Sequence, residues 1–163
     1  MAERNPVATR RTDPDHLRDP EMHLAAFRYR EERLLRSLAQ RLKARIDEGM
    51  DTFRALNECQ DHAVELAEAH VERFILEAFH DGVARAPSPG LSEALAGVAA
   101  LFALARMEAH RGWYLESGYL EAPKSRAVRA QVNALCGEVR EYARFLVDAF
   151  GIPDEVLAAP AGR

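Results

Sequence analysis

Residues 111–129 read RGWYLESGYLEAPKSRAVR, and taking them as a compact corner between two strongly helical segments decides the fold. The stretch holds the only tryptophan, Trp113, with Tyr114 and Tyr119 close by. Arg111, Arg126, Arg129 and Lys124 surround these rings, so the corner offers a wide amphipathic surface. Rings with polar handles commonly seal the end of a helix bundle while their O–H and N–H groups reach backbone or water.

Downstream of the corner, Gly118 ends the excursion, and Pro123 and Lys124 open a helix. Its apolar positions Val128, Val132, Leu135, Val139, Tyr142, Leu146 and Phe150 recur every three or four residues. FGIP closes it: Gly151 suits the left-handed position after a helix, Ile152 supplies an apolar contact, and Pro153 forbids continuation. A short turn of helix is expected over 154–158. Upstream, Ser92 is the expected cap of a helix whose first turns, Ala94 to Ala105, carry no charge. That segment is too short to span a bilayer, which needs about 20 residues. A helix apolar all round must be buried by protein, and three bundle neighbours leave part of it bare. A partner surface is therefore expected on this helix and the Trp113 corner, and replacing Leu101 and Leu104 with glutamate tells whether those side chains face it or the bundle's own core.

Further upstream, ARAPSPG at 84–90 reads as a loop. Before it, Asp51 caps one helix of about 28 residues whose stripe runs Phe53, Leu56, Cys59, Ala63, Leu66, Ala67, His70, Phe74 and Ala78. The first helix starts at Asp19-Pro20-Glu21, a capping carboxylate, a proline suited to the first position and a glutamate at the positive end of the dipole. Leu24, Phe27, Leu34, Leu35, Leu38, Leu42 and Ile46 mark its inner face, and Gly49 ends it. Residues 1–18, broken by Pro6 and Pro14, read as an extended leader. No segment alternates with period two. The expectation is an all-α domain, an up-down-up-down four-helix bundle over 19–158 with an extended leader at 1–18 and a tail at 159–163.

With 163 residues, 48% hydrophobic and 29% charged, the chain is long enough for one domain with a sizeable core. Residues 1–45 carry 11 Lys and Arg against 7 Asp and Glu, and the remainder 11 against 19. That basic excess is spread along one amphipathic helix rather than clustered, so nucleic-acid binding is not expected, nor is membrane binding. Two cysteines, Cys59 and Cys136, sit inside helical patterns and suggest neither a disulfide framework nor zinc. The N-terminus lacks the apolar run of a signal peptide, and AGR at the end is not a peroxisomal address, so a cytoplasmic location is expected.

Chemistry within the chain is sparse. A di-iron bundle needs a Glu-x-x-His pair on each of two helices, and Glu77 with His80 is a single copy. His62, His70 and His110 are of the type used as bases, and the two cysteines of the type used as nucleophiles, but no spacing ties them together. No catalytic residue and no metal ligand is assigned.

The words RGWYLESGYLEAPKSRAVRAQVNALCGEVR and LVDAFGIPDEVLAAP, with LNECQDH at 56–62, REERLL at 30–35 and TRRTDPDHLRDP at 9–20, resemble the C-terminal helical domain of the acyl-CoA oxidase family, flavoenzymes related to acyl-CoA dehydrogenases. The likeness covers essentially the whole chain. It implies a part in FAD-dependent oxidation of a fatty acyl-CoA to the trans-2-enoyl-CoA, in fatty acid β-oxidation. It also implies that the flavin domains and catalytic glutamate lie in family segments that have no counterpart here. FAD is therefore not expected to bind this chain alone. The resemblance makes the chain a packing module that acts in a homodimer or with a separately encoded catalytic chain. Arg111, Trp113, Tyr119, Lys124, Arg126 and Arg129 would then serve as interface anchors or as phosphate partners near the cofactor. The alternative is a free-standing helical interaction module without catalysis.

Overall fold

A computed structural model describes residues 10–153 and Val156. Among the described residues every regular element is a helix: α1 (Pro14–Leu17), α2 (Pro20–Asp47), α3 (Thr52–Glu58), α4 (Gln60–Ala84), α5 (Pro89–Ala109), α6 (Arg111–Glu116), α7 (Ala122–Arg140) and α8 (Ala143–Asp148). The four long helices pack mainly in chain order, α2 on α4, α4 on α5 and α5 on α7, with a lighter contact between α2 and α5.

The leader is not extended throughout. Asp13 Oδ1 accepts from the His16 N–H at 3.0 Å and Pro14 takes the first helical position, so the proline expected to break structure instead starts a turn of helix. That turn drives Leu17 to 0% exposure. Arg18 reaches across to α7, with both Glu138 oxygens accepting at 2.6 and 2.9 Å and Gln131 at 3.0 Å.

Beneath the turn lies His23, buried, with Nε2 2.7 Å from the Leu17 carbonyl. Burial, which outweighs the opposing bond to that carbonyl, pushes its imidazole down to about 4 from 6.5. Between those values the unfolded chain binds a proton that the folded chain refuses. Stability therefore declines as pH falls through that window, by up to about 3 kcal/mol. Urea midpoints at pH 7 and pH 5 should differ accordingly, and His23→Gln should narrow the difference. Equal midpoints in the unsubstituted protein would show that the ring reaches water.

Asp19 and Pro20 start α2 as the sequence implies, Asp19 accepting from the Glu21 N–H at 3.0 Å. Gly49 ends the turn after it with φ 89°, the left-handed region that favours glycine. Leu24, Phe27, Leu34 and Leu38 face the core, while Leu35 and Ile46 are exposed.

The single long helix expected after Asp51 is two, because the chain kinks at Cys59, which closes α3 and opens α4. Its stripe divides as well. Cys59 is buried, but Phe53, Leu56 and Phe74 face outward.

The third long helix is capped four residues earlier than expected. Ser88 accepts from the Leu91 N–H at 3.4 Å and Pro89 follows, while Ser92 instead donates its hydroxyl to the Val83 carbonyl at 3.3 Å. At 21 residues α5 is long and apolar enough to cross a membrane, yet here it is the central packing element, in contact with α2, α4, α6 and α7. Gly97 packs beside Val139 of α7, where a Cβ would lie at an ordinary contact distance, 3.7 Å from Val139 Cγ2. Phe102 is inclined against Phe27 and Phe79, with centroids 6.2 and 6.0 Å away. Leu104 is 0% exposed and Leu101 packs, partly buried, against the same core, so the bundle itself covers these two leucines, while Ala96 on the same helix stays exposed.

Val128 and Leu135 of α7 are buried, but the helix stops at Arg140 rather than near Phe150. The short α8 that follows buries no residue. Gly151 has the expected positive φ, 60°, although Ile152 is half exposed and makes no sealing contact. The turn expected over 154–158 lies outside the described residues except for Val156, whose N–H reaches the Pro153 carbonyl at 2.9 Å.

Candidate functional site

The corner is built by a second kink. His110 ends α5 and opens α6, and Gly118, at φ 66°, lets the chain reverse so that the Tyr119 and Leu120 N–H groups reach the Tyr114 carbonyl at 2.9 and 3.1 Å. Tyr114 is buried and donates its hydroxyl to the Ala26 carbonyl on α2 at 3.2 Å. Burial pushes that phenol well above its ordinary range. Tyr29, also from α2, stacks on Tyr119 with centroids 4.6 Å apart and meets Trp113 edge-on at 5.9 Å. Trp113 and Tyr114 are perpendicular at 5.2 Å. Each ring pair adds about 0.5–1.5 kcal/mol beyond its area, so the cluster locks the corner to α2. Tyr29 was not singled out from sequence, although it directly precedes Arg30–Leu35.

The six residues expected to act together do not converge on one cavity. Trp113 and Tyr119 join through Tyr29. Lys124 is buried on α7 with Nζ 3.0 Å from His16 Nε2, and burial brings its amine down to about 8. Arg129 donates to Glu108 at 2.5 Å, while Arg111 and Arg126 are exposed.

Beside Trp113 opens a groove of about 460 Å³ lined by Arg33, Arg36 and Arg41 of α2, His62 of α4 and Glu116 of α6. Its guanidinium groups suit an anion, tempered by Glu116 and Glu65 on the same walls. A second cavity, about 280 Å³, has largely alanine walls with His23 and His80.

Behind the corner α2, α4 and α5 share an ionic network that the sequence did not reveal. Arg30 is 2% exposed and donates to Glu72 at 3.3 Å and to Glu65 at 3.4 Å. Glu72 also accepts from Arg106 and lies 3.2 Å from His110 Nε2. Burial pushes the Glu72 carboxyl up, but His110 and Arg106 outweigh it and hold the group below its usual range. Next to it Glu31 binds Arg73 and, at 2.7 Å, His70. The only periodic hint is that these charges sit among apolar positions of their helices.

Glu68, Glu72 and His110 present ligand atoms within 4.8 Å of one another, a grouping of the kind that holds a cation. Arg106 already supplies that charge, bonded to both glutamates. The Glu77 and His80 pair is not such a site either: Glu77 accepts from Arg28 at 3.2 Å and Arg73 at 2.6 Å and ties α2 to α4.

The family model described as acyl-CoA oxidase matches residues 19–163. The chain is 39% identical over 160 residues to acyl-coenzyme A oxidase 2, peroxisomal, of Arabidopsis thaliana, covering 98% of this chain and 23% of that protein. It is 35% identical over 149 residues to peroxisomal acyl-coenzyme A oxidase 3 of Homo sapiens, covering 89% and 21%. In fold it is similar to acyl-CoA oxidase 1 of Yarrowia lipolytica, with TM-score 0.81, 24% identity, and 91% and 21% of the two chains covered. It is also similar to acyl-CoA oxidase-1 of Caenorhabditis elegans, solved with FAD and ATP, with TM-score 0.80, 22% identity, and 95% and 24% covered. The chain thus spans between a fifth and a quarter of the length of these relatives.

The peroxisomal names of these relatives overturn the cytoplasmic expectation. Its physical basis was weak, because a peroxisomal address is read by a receptor and needs no apolar run or distinctive composition.

Proposed function

The chain belongs to the acyl-CoA oxidase family, and from that premise we propose that it is the C-terminal packing module of a peroxisomal enzyme that oxidises a fatty acyl-CoA to the trans-2-enoyl-CoA. The observation that carries the reading is the lopsided match: 98% of this chain aligns with 23% of a relative. The four long helices, joined by short connections, form an up-down-up-down bundle over 19–158, with residues 1–18 as its leader and 159–163 as its tail. The module packs against a flavin-bearing body, on the same longer chain or a separate one, and the completed enzyme is a homodimer.

In this reading Trp113 and Tyr119 hold the corner in the shape presented to that body. Arg111 and Arg126, being exposed, serve as contact anchors or as partners for a phosphate near the cofactor. Lys124 and Arg129 act from behind, through His16 and Glu108.

The residues described here do not fit FAD by themselves. The cationic groove is open, its arginines exposed, and the apolar cavity of about 280 Å³ is no enclosed slot for a three-ring flavin. FAD, held by the body, would supply the hydride-accepting chemistry. This chain contributes support. The purified chain should accordingly lack a flavin absorbance band and form no peroxide from acyl-CoA. Added to a flavin-loaded acyl-CoA oxidase body that lacks its own matching region, it should raise that body's melting temperature. Stoichiometric flavin on the chain alone, or no effect on the body, would sink the proposal.

A further inference from the structure

The outer side of α3 and α4 carries an apolar seam that the bundle does not use. Positions 53, 56, 60, 64, 67, 71, 74 and 78 alternate steps of three and four and read Phe, Leu, Gln, Val, Ala, Val, Phe and Ala. Phe53 is 72% exposed, Phe74 64%, Val64 62% and Val71 52%. The opposite side of α4 turns Glu65, Glu72 and Arg73 toward α2 and α5, where they are bonded. Ala69 and Leu76 are buried on that same side, so α4 is apolar on both faces, whereas a surface helix normally keeps its outer side polar.

With Leu56 and Ile75 the exposed patch amounts to roughly 600 Å², the upper end of what a lone soluble protein shows. Covering it and its rims approaches the roughly 800 Å² per partner of a stable complex. Within α4, beyond the kink at Cys59, the steps of three and four from 60 to 78 match a partner helix crossing at about 20°, along roughly 27 Å at 1.5 Å per residue.

Asp61 and Asp81 rim the seam, while Glu68 and Glu77 beside them are already bonded, to Arg106 and to Arg28 and Arg73. Arg73, beside one rim, is held by Glu31 and Glu77. A second copy would bring the same acidic rims to the contact and set carboxylate against carboxylate. The charge asks for a basic partner.

We propose that this seam is where the flavin-bearing body of an acyl-CoA oxidase docks, through an amphipathic helix with an apolar seam flanked by Lys or Arg. The proposal rests on the reading of this chain as a packing module, since it covers only 23% and 21% of the relatives it matches.

The test uses the full chain and, as bait, a flavin-loaded acyl-CoA oxidase body without its own matching region. Both Val71 and Phe74 are exposed, so the double variant Val71→Asp/Phe74→Asp should keep its helical dichroism while binding at least tenfold more weakly. Phe145→Asp, on the exposed α8, should bind like the unsubstituted chain. Asp61→Lys/Asp81→Lys should weaken capture at low salt and lose that effect at high salt. If the bait holds the double variant as tightly as the unsubstituted chain, the seam is not the docking surface and the packing-module reading survives. If the unsubstituted chain is not captured at all, both fall. If it self-associates and the double variant is monomeric, the seam joins two copies and the proposal is overturned.

Discussion

Leu104→Glu should abolish folding. Leu104 is 0% exposed at the centre of α5, within the cluster formed by Phe27, Leu76, Met107 and Val128. The substitution forfeits about 1.5–3 kcal/mol of burial, and an unpaired carboxyl there costs several more whether it stays charged or takes up a proton. Against a total stability of about 5–15 kcal/mol, little remains. Thermal melting followed by far-ultraviolet dichroism checks this. A cooperative melt for Leu104→Glu would place the position at the surface, one of the two outcomes that the sequence left open. Leu101→Glu, half-buried at the edge of the same cluster, should be milder.

Glu72→Ala should cost about 3–5 kcal/mol, the usual penalty for leaving a buried charge without its partner. Arg30 Nε already lacks an acceptor, and after the substitution the guanidinium keeps only Glu65, at 3.4 Å and partly exposed. Replacing the pair together, Arg30→Met with Glu72→Leu, should recover most of the loss, because an apolar pair avoids the desolvation penalty altogether. Urea denaturation of Arg30→Met, Glu72→Leu and the double variant forms the required cycle. A loss below about 1 kcal/mol for Glu72→Ala would mean that Arg30 reaches water.

What could be read from the sequence was local. Asp19-Pro20, Asp51, Gly49, Gly118 and Gly151 each act through a few neighbouring bonds, and each sits where the sequence implies. The aromatic corner was likewise marked by its unusual residues. Two things were not legible, for one reason. Periodicity identifies an apolar stripe but does not say which side of the helix meets the bundle. Part of the α4 stripe therefore passed for core, when Phe74 faces water and the side that α2 and α5 bind carries Glu65, Glu72 and Arg73 beside Ala69 and Leu76. The uncharged run Ala94–Ala105 of α5 passed for an interface, although Ala99, Ala100, Ala103 and Leu104 are buried in the core. The kinks at Cys59 and His110 have no proline or glycine to announce them. Of the candidate site, Trp113 and Tyr119 were legible as a pair, whereas Tyr29 and the arginines of the groove come from a helix some eighty residues away and meet them only in the fold.

The leader's attachment bears on how this domain is carried. Leu17 is a buried plug, Arg18 is pinned by both Glu138 oxygens, and Lys124 meets His16. A flexible tether lets its cargo wander, and the local concentration it enforces falls as its length grows. Residues 13–18 give no such slack, because they are fastened to α2 and α7 before the first long helix begins. Anything joined ahead of them meets the bundle at one fixed point, and a rotation there is passed on to α7 as through the arm of a lever.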